Sequence, residues 1–127
     1  MLNKLQMLVE KSKSLYYNFP VSVILECSDG TLFEGVNIET SSPASGICAE
    51  RNALFSAITK GYTKKDFKRI HIYNKSGKII TPCFICRQAL IDYCNEDLEI
   101  ISYTDTDSRT YLLKNLCQES FSSADLD

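Results

Sequence analysis

The chain has 127 residues, of which 44% are apolar and 24% charged, and its formal net charge is −2. This composition is typical of one globular domain over residues 1–127, and it excludes a disordered chain and a separate cofactor domain. The charge gives the whole chain no electrostatic reason to bind nucleic acid, and no apolar run approaches the roughly 18 residues of a membrane span. Because polar residues interrupt the N-terminal Met1–Gln6, no export signal is expected, and a cytoplasmic protein is predicted.

The first half of the chain predicts a helix, a hairpin and a second helix. Apolar residues at helical spacing predict an amphipathic first helix that includes Leu15 and Tyr16 and ends before Asn18. Two β-rich runs around a turn predict a hairpin over Phe19–Ile38. A loop of turn-forming residues follows, and a helix is predicted over Ile47–Lys60.

The second half predicts a strand, a helix and two further strands. Lys68–Asn74 and Leu98–Tyr103 read as strands, and Arg109–Leu113 as a short edge strand. Between the first two, Thr81 is expected to cap a helix that has Pro82 as its first residue and runs to about Cys94. This order predicts an α/β fold in which helices cover both faces of one sheet, a three-layer α/β/α sandwich.

The six cysteines carry the strongest chemical signal. A disulfide framework is not expected in a reducing compartment, and Cys27, Cys94 and Cys117 read as small buried residues. The other three stand at the predicted starts of two helices, where the helix dipole favours the thiolate form that a metal needs. Three sulfur ligands point to zinc. The candidate ligands are Cys48, Cys83 and Cys86.

A fourth protein ligand for a structural zinc site is not evident. The single histidine, His71, lies in a predicted strand and is expected to be an ordinary surface or hydrogen-bonded residue. An open coordination position is what catalytic zinc requires, because the ion then lowers the pKa of a water molecule. Glu50 follows Cys48 by two residues and is the candidate general base and acid. Without the cysteines, it would read as a solvent-facing helix residue.

Two motifs resemble the signature of the zinc-dependent cytidine deaminases of the small homotetrameric type: C-A-E-R at 48–51 and P-C-x-x-C-R-Q at 82–88. Further similar segments follow in family order over nearly the whole chain, among them Gly35–Glu39 and Ser120-Phe121. The resemblance implies a central mixed five-stranded sheet and one Zn²⁺ per chain. It also implies that Glu50 moves protons while activated water attacks C4 of cytosine and ammonia leaves.

The resemblance also implies roles for residues around the zinc ligands. Arg51 would donate hydrogen bonds to the ligand thiolates, which partly offsets their negative charge. A nucleoside would be bound through its ribose hydroxyl and its base, and one contact would come from an adjacent subunit of a homotetramer, so that active sites are completed in trans. The implied residues are Asn37 and Glu39 for the ribose, Phe19 and the backbone around Ala49 and Pro82 for the base, and Phe121 from the neighbour.

Several positions depart from the family pattern, among them Ser22-Val23 in place of a small Gly-Ala pair. Phe84 stands in place of a glycine, which predicts a bulkier wall, while Pro43 replaces a tyrosine that closes the pocket and Gln118 replaces a proline. The expected reaction is deamination of cytidine and deoxycytidine to uridine and deoxyuridine in pyrimidine salvage. Three alternatives are a deaminase of blasticidin S type, an enzyme acting on a base in RNA, which the acidic chain disfavours, and a structural zinc or redox module, which has no need of Glu50.

Overall fold

Five strands form one mixed sheet in the order β2-β1-β3-β4-β5 in the computed structural model, which describes residues 1–127. Only β3 and β4 pair in parallel, and the other neighbouring strands are antiparallel. The mixed five-stranded sheet is confirmed. The strands are β1 (Val21–Cys27), β2 (Leu32–Val36), β3 (Phe67–Asn74), β4 (Glu99–Tyr103) and β5 (Ser108–Leu112).

Helices cover both faces of this sheet, which confirms the three-layer sandwich. Helix α1 packs on one face through Leu5 and Leu8, which join Ile24 of β1 in a smaller core. The opposite face packs against α2 and α3 in a core of 16 buried residues. The helices are α1 (Leu2–Leu8), α2 (Ala49–Thr59), α3 (Phe84–Tyr93) and α4 (Leu113–Leu116). None of them is long and apolar enough to cross a membrane.

Strand β1 serves both cores because its side chains alternate between the two faces. Val23 and Leu25 point into the larger core, whereas Ile24 points towards α1. All three side chains are at most 1% exposed. A strand buried on both faces reads as a continuous apolar run, and this is why the sequence shows no alternation there.

A glycine in β2 lets helix α2 approach the sheet closely. A Cβ atom on Gly35 would lie 2.5 Å from the carbonyl oxygen of Ala49 and 2.6 Å from the backbone nitrogen of Ala53. Nearby, the side-chain amide of Asn52 donates a hydrogen bond to the Val36 carbonyl at 3.1 Å. The first turn of α2, next to Cys48, is therefore fixed against the end of β2.

The first helix is shorter than predicted. It ends at Leu8 and continues only as a 3-10 turn to Lys11, so Leu15 and Tyr16 are not helical and are 74% and 59% exposed. The chain instead becomes extended, and Lys13 pairs in parallel with Ile38. Tertiary pairing with the end of the hairpin outweighs the helical spacing of the apolar residues here.

The start of α3 also differs from the prediction. Thr81 and Pro82 are neither cap nor first turn, because the cap is Cys83 and the helix begins at Phe84. Arg87 holds the preceding residues extended, since its guanidinium donates to the Pro82 carbonyl at 2.7 Å and to Thr81 Oγ1 at 2.8 Å. The prediction that Cys27 and Cys94 are buried is confirmed, whereas Cys117 is only half-buried.

Candidate active site

Two helix N-termini bring the candidate metal ligands together. Cys48 is the N-cap of α2, Cys83 is the N-cap of α3, and Cys86 is the third residue of α3. The partial positive charge at each helix start favours thiolates at these positions. The larger core packs both helices on the same sheet face, and this is why residues far apart in sequence meet.

The spacing of the three sulfur atoms fits a zinc ion. All three Sγ atoms lie within 4.8 Å of one another, and those of Cys48 and Cys83 are 3.9 Å apart. With a Zn–S bond of about 2.3 Å and tetrahedral angles, two ligand sulfurs are expected about 3.8 Å apart. Cys86 is fully buried, whereas Cys83 is exposed, so one side of the trio faces open space. His71 is not among these groups, and its ring nitrogens bond Glu26 and Tyr103, both at 2.9 Å.

The pKa of the Cys48 thiol is lowered, which favours its thiolate form. A hydrogen bond from Cys86, followed by one from Arg51, lowers the pKa of Cys48 to about 5. The Arg51 guanidinium lies 3.6 Å from Cys48 Sγ. Cys86, as the proton donor of the pair, has its pKa raised. Three thiolates on a divalent cation leave a net charge of about −1, which the guanidinium partly offsets.

Glu50 is a buried carboxyl group beside these ligands. It is the second residue of α2 and is 8% exposed. Burial, with a smaller contribution from the Cys48 charge, raises the pKa of Glu50 to about 7. A general acid and base is most effective when its pKa lies near the working pH, because it can then both accept and release a proton.

A cavity of about 560 Å³ opens next to Cys48 and is of the size that a small ligand occupies. Its walls come from the loop after β2, from the start of α2, from Ile85 of α3, and from the segment between α1 and β1. Glu39 and Arg51 are its only charged lining residues, and Arg51 is turned to Cys48. The other lining residues are Tyr16, Tyr17, Asn37, Ile38, Thr40, Ser41, Pro43, Gly46, Ile47, Cys48 and Ile85.

Asn37 and Glu39 lie together on the cavity wall, and both already bond the segment between α1 and β1. Glu39 Oε1 accepts from the backbone N–H groups of Tyr16 at 2.8 Å and Tyr17 at 3.0 Å, and Oε2 accepts from the Ser14 hydroxyl. Asn37 Oδ1 accepts from Ser12 Oγ at 2.5 Å. The three hydrogen bonds to Glu39, of which that from Ser14 has the largest effect, lower the pKa of its carboxyl group.

The residues implied for base recognition, Phe19, Ala49 and Pro82, are not among those that line this cavity. Phe19 is 38% exposed, and its carbonyl accepts a bond from Asn37 Nδ2 at 2.9 Å. Ala49, the first residue of α2, is fully buried, backbone included. The assignment of these residues, like that of Asn37 and Glu39, to substrate stays a prediction.

Two aromatic residues lie outside the cavity. Phe84 is 77% exposed and lines a groove between α2 and α3 rather than the cavity beside Cys48, so its bulk does not narrow that cavity. Phe121 is 56% exposed, and its carbonyl accepts a bond from Gln88 Nε2 at 3.0 Å. The Phe121 ring is therefore largely uncovered within its own subunit.

Sequence reasoning missed the contribution of residues 12–17. The apolar spacing assigned this segment to a helix, whereas it forms one wall of the cavity and makes four hydrogen bonds to the side chains of Asn37 and Glu39. The only signal that could have indicated this was the serine at every second position, Ser12 and Ser14, which is unfavourable in a helix and typical of side chains that bond nearby backbone or loops.

Comparison with known proteins gives a consistent result. The family model for the cytidine and deoxycytidylate deaminase zinc-binding region matches residues 1–101. The chain is 31% identical over 121 residues to a cytidine deaminase of Mycoplasma genitalium, covering 94% of this chain and 92% of the relative. The crystal structure of a cytidine deaminase from Burkholderia pseudomallei superposes with a TM-score of 0.88 at 33% identity over 94% of both chains.

A blasticidin-S deaminase of Bacillus cereus is also similar, at 29% identity over 77% of this chain and 71% of the relative. The three thiols are spaced to hold a metal ion, and the family model that matches describes a zinc-binding region. The sequence motifs, the mixed sheet, the trio of thiols and these relatives agree, and the chain belongs to the zinc-dependent cytidine and deoxycytidylate deaminase family.

Proposed function

We propose that this enzyme hydrolyses cytidine and deoxycytidine to uridine and deoxyuridine and releases ammonia. The observation that carries the proposal is the buried Glu50 beside three thiols spaced for zinc. A structural zinc module needs no such carboxyl group. The cytidine deaminases among the relatives support the substrate class.

The chain's own residues supply the proton transfers. Cys48, Cys83 and Cys86 would hold the zinc ion, which supplies hydroxide near neutral pH when it is bound. Glu50 accepts the proton that water gives up and delivers it to N3 of the cytosine ring as C4 is attacked. It then transfers the second proton of the water to the departing amino group. Water and cytidine are consumed, and uridine and ammonia are formed.

The charges of the cavity favour a nucleoside over a nucleotide. The lining contains the Glu39 carboxylate, and its single cationic side chain, Arg51, bonds the Cys48 sulfur. A phosphate group would therefore meet a carboxylate without a free guanidinium or ammonium group to pair with. A ribose hydroxyl can instead donate a hydrogen bond to Glu39, since a carboxylate accepts about four such bonds and three are made.

A blasticidin S deaminase is the second candidate, supported by the Bacillus cereus relative. Pro43 lines the cavity where the resemblance implies a tyrosine, so this wall differs from that of the cytidine enzymes. The zinc chemistry would be the same for both substrates.

One assay separates these substrates. The purified protein is incubated with cytidine, deoxycytidine, deoxycytidylate and blasticidin S, and the loss of cytosine absorbance and the release of ammonia are followed. We expect turnover of cytidine and deoxycytidine with kcat/KM at least about tenfold above that for the other two, a difference of about 1.4 kcal/mol in transition-state binding. Blasticidin S as the best substrate would overturn the proposal, as would no turnover of any of the four.

The same proposal includes a homotetramer in which Phe121 completes a neighbouring active site. Its support is the exposed apolar surface on α2 and α3, formed by Phe55, Phe84, Ile85 and Tyr93 at 40%, 77%, 67% and 50% exposure. Two buried polar atoms beside this surface, Arg51 Nε and Asp92 Oδ1, have no hydrogen-bond partner within the subunit. A second subunit could cover the apolar side chains and satisfy these atoms.

A further inference from the structure

The segment between α1 and β1 is paired with the residues that line the cavity. Residues 12–14 run in parallel beside residues 37–39, because Lys13 N–H donates to the Asn37 carbonyl at 3.0 Å and Glu39 N–H donates to the Lys13 carbonyl at 2.9 Å. In an extended chain every second side chain points to the same face. Ser12 and Ser14 therefore stand beside Asn37 and Glu39 respectively.

Each serine hydroxyl contacts one of these two polar side chains. Ser12 Oγ donates to Asn37 Oδ1 at 2.5 Å. Ser14 Oγ donates to Glu39 Oε2 and at the same time accepts from the backbone N–H of Phe19 at 2.8 Å. The Ser14 hydroxyl thus connects the Glu39 carboxylate on the cavity wall to the backbone of Phe19, two residues before β1.

Glu39 has no other side-chain donor to fix its carboxylate. Its second oxygen is held by the N–H groups of Tyr16 and Tyr17, which belong to the same segment as Ser14. No charged side chain pairs with Glu39 in a salt bridge. A hydroxyl on Oε2 and two amides on Oε1 therefore determine how the carboxylate is oriented.

We propose that Ser14 is a positioning residue that holds the Glu39 carboxylate in the orientation that binds a sugar hydroxyl of the substrate. The inference rests on the proposed nucleoside deaminase function and adds a residue to which no part of the deaminase motif assigns a role. Ser14 acts through Glu39 and not on the base, so its contribution depends on whether the substrate carries ribose hydroxyls.

The test compares Ser14→Ala with wild type on cytidine and on 2′,3′-dideoxycytidine, which lacks both hydroxyls. On cytidine we expect KM to rise about 5- to 10-fold with kcat within about twofold, because a ground-state and transition-state contact is lost equally. On the dideoxy compound both constants should stay within about twofold. Ser14→Thr, which keeps the hydroxyl, should restore the cytidine KM, and Ser28→Ala, an exposed serine in the turn after β1, is the matched control.

An equal loss on both substrates would show that Ser14 merely stabilises the fold, and no loss on either would show that it does nothing for binding. Either result overturns the inference. Adding Ser14→Ala to Glu39→Ala should have no further effect on cytidine, and an additive loss would contradict the proposed route through Glu39.

A second measurement does not depend on activity. The pKa of Glu39 is followed by carbon NMR, with its signal assigned by its loss in Glu39→Gln. Because the Ser14 hydroxyl favours the charged carboxylate, removing it should raise this pKa, and an unchanged pKa overturns the inference even if the wild type does not use cytidine. A wild type that fails on cytidine while the Glu39 pKa rises in Ser14→Ala would refute the proposed function and leave the positioning role standing.

Discussion

Two features of the position of Glu50 have opposite effects on the pKa of its carboxyl group. It occupies the first turn of α2, where a carboxylate is favoured by the helix dipole, yet it is buried and its pKa is raised to about 7. Burial outweighs the dipole at this position. A carboxyl group kept near neutrality in this way suits proton transfer rather than helix stability.

The variant Glu50→Gln should fold and retain zinc but lose kcat by about 10²- to 10⁴-fold, the range for loss of a general acid and base. Glutamine has nearly the same shape and does not ionise, so binding and stability should change little. Stopped assays on cytidine, with zinc measured on the same samples, check this. Turnover within tenfold of wild type would contradict a role for Glu50 in proton transfer.

Cys86 should be essential for the metal because it is the fully buried member of the trio. In Cys86→Ala the zinc content should fall well below one equivalent per chain, and the thermal midpoint should fall with it, since metal binding and folding are coupled. Cys117→Ser is the control, because this half-buried cysteine is not among the ligands and should leave the zinc content unchanged. Full zinc retention in Cys86→Ala would exclude Cys86 as a ligand.

The contact between α2 and β2 depends on the absence of a side chain at one position. In Gly35→Ala the new methyl group would meet the Ala49 carbonyl and the Ala53 nitrogen, both backbone atoms that cannot turn away. We expect the free energy of unfolding to fall by about 1–3 kcal/mol, as in overpacked cores. Because Cys48 is the N-cap of α2, activity should fall more than stability alone explains.

Urea denaturation with zinc present measures the loss of stability in Gly35→Ala. Glu34→Ala, an exposed neighbour on the same strand, should change the free energy of unfolding by no more than about 0.5 kcal/mol. Equal stability of Gly35→Ala and wild type would show that α2 can move away from the sheet at little cost.

The sequence predicted the sheet and its layers because apolar patterns persist over whole strands and helices. It did not predict where some helices begin and end, because a few tertiary contacts determine these positions. Thr81-Pro82 has the local chemistry of a helix start, yet Arg87 holds it extended and Cys83 becomes the cap. The spacing of Leu15 and Tyr16 is helical, yet the backbone before them pairs with residues 37–39.

The chemical centre was predictable for a similar reason. Cys48, Glu50, Cys83 and Cys86 stand at short, fixed spacings within two helix starts, so local sequence specifies most of their arrangement. The hydrogen bond from Ser14 to Glu39 was not predictable, since these residues are 25 positions apart and meet only through the fold. Contacts of this kind leave no local pattern.

At the scale of the whole molecule, the proposed homotetramer with shared active sites can be tested directly. Phe121→Ala and Glu50→Gln proteins should each be poorly active alone. Co-refolded hybrids should regain activity, because an intact Glu50 in one chain can meet an intact Phe121 from another. The exposure of the Phe121 ring within its own subunit is what this proposal requires.

Two measurements decide between this arrangement and a self-contained subunit. Light scattering at assay concentration should give the mass of four chains of 14.4 kDa each. Hybrids no more active than the average of their parents would rule out completion in trans, and refolded mixtures of wild type with Glu50→Gln serve as the control for loss during refolding.

The candidate zinc centre and the outer wall of the cavity differ in what supports them. Cys48, Glu50 and Cys86 belong to helices that are packed into the larger core, whereas Tyr16, Tyr17 and Pro43 lie on segments that contribute no buried residue. We therefore expect substitutions at Tyr16, Tyr17 or Pro43 to alter which molecule enters the cavity without lowering the stability of the fold. This separation marks the tyrosine pair and the loop around Pro43 as the positions to randomise in a directed evolution of substrate preference.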